Sequence, residues 1–239
     1  DCVAVVTVVD NIAPTATCQN ITIQLNAGGT ASISAAQIDG GSTDNCTVAS
    51  MSASQISFDC TDLGANTVTL TVTDQSGNQS TCNATVTVVD NILPQITCPA
   101  NITVNNDAGI CGAVVNYAAP VGTDNCAGST TTRTAGLASG SLFPVGTTTV
   151  TYLVTDASGN TANCSFNVTV NDNEAPTLTC PANITVNVDA GSCGAVVNYP
   201  APTANDNCGN ATISRTVGPA SGATFPLGTT VVAYEITHG

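Results

Sequence analysis

The chain has 239 residues and a formal net charge of −14 at pH 7. It contains no lysine, and Arg133 and Arg215 are its only strong bases. Nucleic-acid binding needs a basic surface, so this composition excludes it, and it disfavours binding to anionic membranes. No apolar stretch approaches the roughly 20 residues of a membrane-spanning helix, so we expect no membrane insertion.

A cassette of about 80 residues recurs along the chain, which predicts tandem modules. Each copy opens with Asp-Asn-x-x-Pro, at Asp10, Asp90 and Asp172. Each copy later carries Asp-Asn-Cys, which ends at Cys46, Cys126 and Cys208. Residues 1–9 match the end of a copy, so they are expected to be the closing strand of a preceding repeat. Residues 10–89 are a divergent copy, 90–171 a full copy, and 172–239 a copy without its last strand.

The strands of these copies are predicted from apolar and polar residues that alternate with a period of two. In 147–154, for example, Val150, Tyr152 and Val154 share one face, and threonines occupy the other. Shorter opening strands are expected around Ile102 and Val104, and around Ile184 and Val186. Six or seven such strands per copy, separated by Gly, Pro, Asn and Asp, predict an all-β fold of tandem immunoglobulin-like β-sandwiches.

The twelve cysteines indicate disulfides and an oxidising, extracellular or cell-surface location. The alternative is zinc binding, but no CxxC pair occurs and His238 is the only histidine. Because each module has few aromatic residues with which to fill its core, disulfides are expected to be required for stability.

The pairing of the cysteines follows from the expected strand positions. The first and last strands of such a sandwich run side by side from the same end, which pairs Cys18 with Cys82 and Cys98 with Cys164. The remaining cysteines are expected to close short local loops within each repeat: Cys46–Cys60, Cys111–Cys126 and Cys193–Cys208. Cys2 and Cys180 then remain. Either their partners lie outside this sequence, as in one long chain, or Cys2 of one molecule bonds Cys180 of another.

Several motifs of the full copy resemble the hyalin-repeat (HYR) family. They are the opening Asp-Asn-x-x-Pro, Cys-Pro-Ala-Asn-Ile-Thr-Val from Cys98, Gly-Ala-Val-Val-Asn-Tyr from Gly112, Phe-Pro-Val-Gly-Thr-Thr from Phe143, and Thr-Asp-Ala-Ser-Gly-Asn before Cys164. The resemblance covers 90–171 fully, 172–239 up to the missing strand, and 10–89 more loosely. It implies an immunoglobulin-like module of extracellular adhesion and matrix proteins, and it implies no catalytic activity.

A calcium site is the sharpest functional hypothesis, and calcium is the only cofactor that the sequence suggests. The opening Asp-Asn, the Asp-Asn-Cys loop and the Thr-Asp-x-Ser-Gly-Asn turn are expected to meet at one end of each sandwich. Calcium takes six to eight oxygen ligands, which carboxylates and amides supply. The alternative is that these residues only form Asx-turns. The candidate ligands are Asp90, Asn91, Asp124, Asn125, Asp156, Asp172, Asn173 and Asp206.

These observations favour a structural protein that forms a stiff, disulfide-reinforced fibre, filament or stalk. Its partners are then neighbouring repeats or copies of itself. The alternative is a spacer or ligand-binding region of a surface adhesin, which binds carbohydrate or protein. Tyr117 and Tyr199 are the candidate aromatic platforms for a sugar, although packing in the core also accounts for them. No arrangement of residues predicts an enzyme, since a single histidine and no lysine are available.

Overall fold

Eighteen β-strands, one short α-helix and one 3-10 turn make up the regular structure of residues 2–209 and 211–237, the part described by the computed structural model. The prediction of an all-β fold is confirmed. Threonine and valine dominate the strands, and their branched side chains suit a pleated, half-buried surface. No described helix is long and apolar enough to cross a membrane. His238 lies outside the described residues.

The first repeat has two sheets. The larger sheet has the order β1-β6-β5-β3, and β2 pairs with β4 in the smaller one. β1 is parallel to β6, with Ile21 opposite Val86, and the other pairs are antiparallel. The elements are β1 (Ile21–Gln24), β2 (Thr30–Ser32), α1 (Ala35–Ile38), β3 (Val48–Ala53), β4 (Ser57–Asp59), a 3-10 turn (Cys60–Asp62), β5 (Gly64–Asp74) and β6 (Gln79–Val89).

The second repeat reproduces this arrangement. Its larger sheet has the order β7-β12-β11-β9, with β7 parallel to β12, and its smaller sheet pairs β8 with β10. The elements are β7 (Ile102–Asn105), β8 (Gly112–Val115), β9 (Thr130–Ala135), β10 (Ser141–Pro144), β11 (Gly146–Thr155) and β12 (Thr161–Asn171).

The third repeat has three two-stranded sheets, β13-β15, β14-β17 and β16-β18. The expected opening strand around Ile184 and Val186 does not form. In the second repeat the equivalent β7 pairs with the closing strand β12, and the described residues of the third repeat include no counterpart of β12. The elements are β13 (Thr177–Thr179), β14 (Gly194–Val196), β15 (Thr203–Asn205), β16 (Thr212–Val217), β17 (Thr224–Pro226) and β18 (Ala233–Thr237).

The core contains the residues that the alternation places on one face. Val150 and Val154 are fully buried and Tyr152 is nearly so, as predicted. Alternate residues are buried in the same way from Val68 onward in β5, from Ala84 onward in β6 and from Phe166 onward in β12. Phe143 is the largest side chain with no exposed surface. Each of the first two repeats therefore buries one face of its long strands and leaves the threonine-rich face to solvent.

The chain divides into two compact units, and the division passes through the second repeat. One unit contains 1–98, 120–134 and 151–164, and the other contains 99–119, 135–150 and 165–239. Each unit thus holds one repeat together with the end of the second repeat that adjoins it. We call the end of a sandwich where the preceding linker arrives its entry pole, and the end where its closing strand leaves its exit pole.

Four disulfides are formed. Two of them, Cys18–Cys82 and Cys98–Cys164, join the first and last strands of a repeat, which is the pairing that strand topology favours. The other two, Cys60–Cys126 and Cys111–Cys208, join successive repeats. The described chain therefore has covalent bonds across both of its junctions.

The expected local pairs Cys46–Cys60, Cys111–Cys126 and Cys193–Cys208 are wrong. Within one repeat the two members of each pair belong to opposite poles. Cys60 directly follows β4 and opens the 3-10 turn at the exit pole, whereas Cys46 lies in the Asp-Asn-Cys loop at the entry pole. The 11 residues of β5 connect these poles and span roughly 35 Å. Because the chain leaves each repeat at its exit pole, the cysteine there meets the Asp-Asn-Cys loop of the following repeat instead.

Four described cysteines form no disulfide and are exposed: Cys2, Cys46, Cys180 and Cys193. Residues 2–9 form no strand, and their valines are largely exposed. Their assignment as the closing strand of a preceding repeat stays a prediction.

Candidate functional site

The junction between the first and second repeats is built from three short segments that polar side chains hold together. The linker begins at Asp90, directly after β6. The Asp-Asn-Cys loop is Asp124–Cys126, between β8 and β9. The third segment is the turn 156–160, between β11 and β12, whose hydrogen bonds place it against the linker.

Asn160 fastens the turn to the linker. Its Nδ2 donates to the backbone oxygen of Asp90 at 3.0 Å and to that of Ile92 at 3.2 Å. The buried carboxylate of Asp156 orients Asn160 by accepting from its backbone nitrogen at 2.7 Å and from its Nδ2 at 2.8 Å. Asp74 and Asn78 make the same contacts to Asp10 and Ile12 in the first repeat. The direction of the linker is thus set by an Asp–Asn pair.

Three neighbouring side chains of this junction each keep one buried oxygen without a hydrogen-bond donor. These oxygens are Oδ2 of Asp90, Oδ1 of Asp124 and Oδ1 of Asn125. The other polar atoms of the three residues are engaged: Asp90 Oδ1 accepts from Ile92 N and from Asn125 Nδ2, and Asp124 Oδ2 accepts from Cys126 N. One carboxylate oxygen of Asp90 and one of Asp124 lie, with the sulfur of Cys126, within 4.8 Å of one another. Buried acceptors without a donor are rare in folded proteins, and a bound cation is one way to satisfy them.

The Cys60–Cys126 disulfide covers the same loop. Cys126 is buried and packs in the hydrophobic cluster of the first repeat. Gly29, in the turn at the exit pole of that repeat, has a φ of +72°, and a Cβ there would lie 2.9 Å from both Asn125 O and Cys60 Sγ. A side chain at Gly29 would therefore push the two repeats apart.

The junction between the second and third repeats lies within the other compact unit. Like the first junction, it combines a disulfide with polar contacts of the linker and of the Asp-Asn-Cys loop. Cys111 bonds Cys208, and Asn207 Nδ2 donates to the backbone oxygen of Ile110 at 3.2 Å. Glu174 Oε2 accepts from the backbone nitrogen of Gly109 at 2.7 Å. Asn106 Oδ1 accepts from the backbone nitrogen of Asn173 at 3.1 Å. The following repeat is therefore held by a disulfide and by hydrogen bonds from linker and loop.

At the entry pole of the first repeat, the corresponding cysteine is a thiol. Asp10, Asp44 and Cys46 form a cluster whose oxygen and sulfur atoms lie within 4.8 Å of one another. A hydrogen bond from the backbone of Ile12 and a second from the Cys46 thiol lower the pKa of Asp10. The hydrogen bond to Asp10 and the negative charge of that carboxylate raise the pKa of Cys46. This thiol is thus held in its protonated, less reactive form.

The structure brings together some of the predicted cation ligands and not others. Asp90, Asp124 and Asn125 lie together, and Asp206 Oδ2 accepts from Cys208 N as Asp124 does from Cys126. Asp172 Oδ1 accepts from Glu174 N. Asn91 and Asn173 are exposed, and the oxygens of Asp156 are occupied by Asn160.

Sequence reasoning missed the roles of Asn160, Gly29 and the inter-repeat cysteines. One feature could have indicated the inter-repeat pairing of the cysteines. Cys60 and Cys111 occupy different places in their repeats, but each directly adjoins a strand of the smaller sheet at the exit pole, so both are placed to meet the following repeat. Tyr117 and Tyr199, the candidate sugar platforms, are half-buried. The hydroxyl group of Tyr117 donates to the backbone oxygen of Leu137, and that of Tyr199 to the backbone oxygen of Pro219. The Tyr117 ring lies edge-on 5.0 Å from the ring of Phe166, so packing in the core accounts for it.

Comparison with known proteins gives sequence relatives and solved structures that align with this chain. Hyalin of Strongylocentrotus purpuratus is 38% identical over 230 residues, which are 90% of this chain and 19% of that protein. Hyalin of Lytechinus variegatus is 37% identical over 132 residues, 54% of this chain and 24% of that protein. The chain therefore spans a quarter or less of the length of these relatives.

Among solved structures, the protocadherin gamma B4 extracellular domain matches 97% of this chain and 48% of its own, with 15% identity and a TM-score of 0.38. Human CDH23 EC21-23 matches 92% of this chain and 91% of its own, with 14% identity and a TM-score of 0.34.

The family comparison matches two consecutive stretches of the chain. The HYR domain matches residues 89–170 and 171–238, together more than half of the chain. Disulfides within and between the repeats fit an extracellular or cell-surface protein. With two matched repeats and hyalin relatives along most of its length, the chain belongs to the HYR domain family.

Proposed function

We propose that the chain is a load-bearing segment of an extracellular fibre, filament or stalk. The observation that carries this proposal is the pair of disulfides across the junctions, Cys60–Cys126 and Cys111–Cys208. A module that served only to display a ligand site would need no covalent bond to its neighbour beyond the peptide linker. A module under tension benefits from one, because a disulfide keeps the ends of the junction together when non-covalent contacts fail.

The disulfides shorten the covalent path along which force can extend the chain. From Cys18 to Cys208 the backbone contains about 190 residues, or roughly 650 Å when extended. The shortest covalent route crosses Cys18–Cys82, follows the backbone from Cys82 to Cys111, and crosses Cys111–Cys208. That route contains only about 30 residues, or roughly 100 Å. Complete unfolding therefore lengthens the oxidised chain little.

Single-molecule force spectroscopy on the protein held by its two ends tests this proposal. Reduction is expected to release about 160 further residues, roughly 550 Å of contour length. The double variant Cys111→Ser/Cys208→Ser should by itself add about 30 residues, roughly 110 Å, because the next shortest route uses Cys98–Cys164. Cys60→Ser/Cys126→Ser is the matched control: it removes a junction disulfide that is not on the shortest route and should leave the contour length unchanged. Equal contour lengths before and after reduction would contradict the proposal.

A second function is favoured by the unpaired oxygens of the junction. We propose that Asp90, Asp124 and Asn125 bind a calcium ion, and that the equivalent loops of the other repeats do the same. Three buried oxygens without donors on adjacent side chains support this. Carboxylate and amide oxygens are the ligands that calcium prefers, and water supplies the rest of its coordination shell. A bound ion would draw linker and loop together and stiffen the junction.

Calcium titration by calorimetry, with thermal unfolding in parallel, tests the second proposal. Binding is expected with a dissociation constant of about 10⁻⁴ to 10⁻³ M, as in other extracellular modules. Asp124→Asn should weaken binding at this junction. Asp189→Asn is the charge-matched control, since Asp189 lies at the exit pole of the third repeat and outside all three loops. No binding heat at millimolar calcium, with an unchanged melting temperature, would leave these residues as turn formers only.

A further inference from the structure

The Cys60–Cys126 disulfide ends in the same three-residue loop that carries two of the proposed calcium ligands. Cys126 directly follows Asp124 and Asn125, and its backbone nitrogen donates to Asp124 Oδ2 at 3.0 Å. The sulfur of Cys60 lies 3.6 Å from the backbone oxygen of Asn125. Cys126 is only 4% exposed, so the disulfide fixes this end of the loop in the packed interior. The disulfide and the ligands therefore do not move independently of one another.

The loop and the linker hold two carboxylates close together. One oxygen of Asp90 and one of Asp124 lie, with the sulfur of Cys126, within 4.8 Å of one another. Asp90 is 5% exposed, and its Oδ2 and the Oδ1 of Asp124 have no hydrogen-bond donor. Like charges at this spacing repel each other, and more strongly in a poorly hydrated site than in water. Other contacts must therefore hold the loop beside Asp90 until a cation removes the repulsion.

The disulfide is the strongest of these contacts. Asp90 directly follows β6, so the closing strand of the first repeat sets its position. Asn125 Nδ2 donates to Asp90 Oδ1, at the long distance of 3.3 Å. Apart from the backbone, Cys60–Cys126 is the only covalent bond in the described chain that ties the loop to the first repeat. Breaking it frees the loop to move away from Asp90, and the repulsion favours that movement.

We infer that this disulfide controls the calcium affinity of the junction, and that bound calcium in turn protects the disulfide from reduction. The inference rests on the proposed calcium site and names its regulation. With the disulfide intact, the ligands are in place before the ion arrives, so binding requires little ordering of the loop. A dithiol reduces the bond by giving it two electrons and two protons, which leaves Cys60 and Cys126 as thiols and turns the dithiol into a disulfide. Calcium must then close the loop in order to bind.

The two effects are the two sides of one coupling between calcium binding and disulfide formation. If the disulfide raises the calcium affinity by a given factor, calcium must disfavour reduction of the disulfide by the same factor. A calcium-rich surrounding therefore keeps the junction both closed and oxidised. Loss of calcium exposes the disulfide to reduction.

The first test is a calcium titration followed by NMR at the side-chain amide of Asn125, which reports on this junction alone. We expect the dissociation constant to rise about tenfold or more in Cys60→Ser/Cys126→Ser. Cys111→Ser/Cys208→Ser is the matched control, because it removes the disulfide of the other junction and should leave this constant unchanged. Circular dichroism checks that both variants, which keep the disulfides within the repeats, retain their sheets. Equal constants in the parent and in Cys60→Ser/Cys126→Ser would overturn the inference.

The second test measures the reciprocal effect and needs no cysteine variant. The parent is equilibrated at a series of ratios of reduced to oxidised dithiothreitol, with and without saturating calcium. Its thiols are then trapped with acid, alkylated and mapped. Calcium should raise the ratio at which half of Cys60–Cys126 is reduced, by the factor found in the titration. Asp124→Asn should remove most of this shift, and the charge-matched Asp189→Asn should keep it. An unchanged midpoint in the parent would overturn the inference.

These outcomes are separable from those of the proposed functions. No response of the Asn125 amide to millimolar calcium would remove the calcium site itself, and this inference with it. A response with equal dissociation constants and an unshifted midpoint would leave the calcium site and remove only its control by the disulfide. The contour-length experiment depends on Cys111–Cys208, so neither result changes the expectation for the load-bearing function.

Discussion

Removing the disulfide between the first two repeats should destabilise both of them. Cys60→Ser/Cys126→Ser deletes this bond without leaving a free thiol. The bond lies between Cys126, which is buried in the core cluster of the first repeat, and the 3-10 turn at the exit pole of that repeat. The variant therefore loses both a constraint on the unfolded chain and a contact that holds the junction closed.

The size of the effect follows from the loop that the disulfide closes. The two cysteines are 66 residues apart in sequence. Cys18–Cys82 and Cys98–Cys164 offer no shorter covalent path between them, so this full length enters the loop-closure entropy. The chain-entropy relation then gives about 4 kcal/mol. The compact unit that holds this bond has about 130 residues, for which that free energy corresponds to a fall in melting temperature of roughly 15 °C.

Guanidinium denaturation of the oxidised proteins, followed by circular dichroism, measures the change. Cys46→Ser is the control, since it removes an exposed thiol that forms no disulfide in the described chain, and it should change the free energy of unfolding by less than about 0.5 kcal/mol. A peptide map of the parent protein should show Cys60 joined to Cys126. A map with Cys60 joined to Cys46, or a double variant as stable as its parent, would refute the reasoning.

Three further predictions concern single sites. Phe143→Ala should cost about 3 to 5 kcal/mol in chemical denaturation, because the side chain is fully buried, whereas Leu142→Ala, at a half-exposed neighbour, should cost far less. Burial alone would raise the pKa of Asp74, but the hydrogen bonds from Asn78 outweigh it and the pKa is lowered. This stabilisation is present above the unfolded pKa of about 3.9 and is lost as the pH falls through the lower pKa of the folded state, so the melting temperatures of the parent and of Asp74→Asn should converge as the pH is taken below about 4. Asp10→Asn should speed alkylation of the Cys46 thiol severalfold at pH 8, since the carboxylate that raises its pKa is gone. An unchanged rate would mean that Asp10 does not hold the thiol proton.

The fold could be predicted from sequence because its signals are local and repeated. Alternation in 147–154 determines which residues enter the core, and Val150 and Val154 are fully buried as a result. The pairing of Cys98 with Cys164 is of the same kind, since both cysteines belong to strands whose neighbours the sandwich topology fixes.

The junctions could not be predicted, because they depend on which pole each loop occupies. Cys111 and Cys126 are close in sequence, and closing a short loop costs less conformational entropy than closing a long one, which favours this pair in the absence of a structure. Only the three-dimensional path shows that Cys111 is at the exit pole and Cys126 at the entry pole. The same holds for Asn160, whose linker contacts join residues 68 and 70 positions apart. In these repeats, the pole at which a cysteine lies therefore decides its partner, and the length of the loop that the disulfide closes does not.

The overlap of the four disulfides determines whether proteolytic cleavage can release a fragment of the chain. The bonds enclose residues 18–82, 60–126, 98–164 and 111–208, so every peptide bond from Cys18 to Cys208 lies inside at least one enclosed segment. The within-repeat bonds alone would leave the linker that starts at Asp90 and the one that starts at Asp172 uncovered. The junction disulfides enclose both. A single proteolytic cut anywhere in this range therefore releases no fragment, and a nicked molecule stays in one piece until a reductant reaches it.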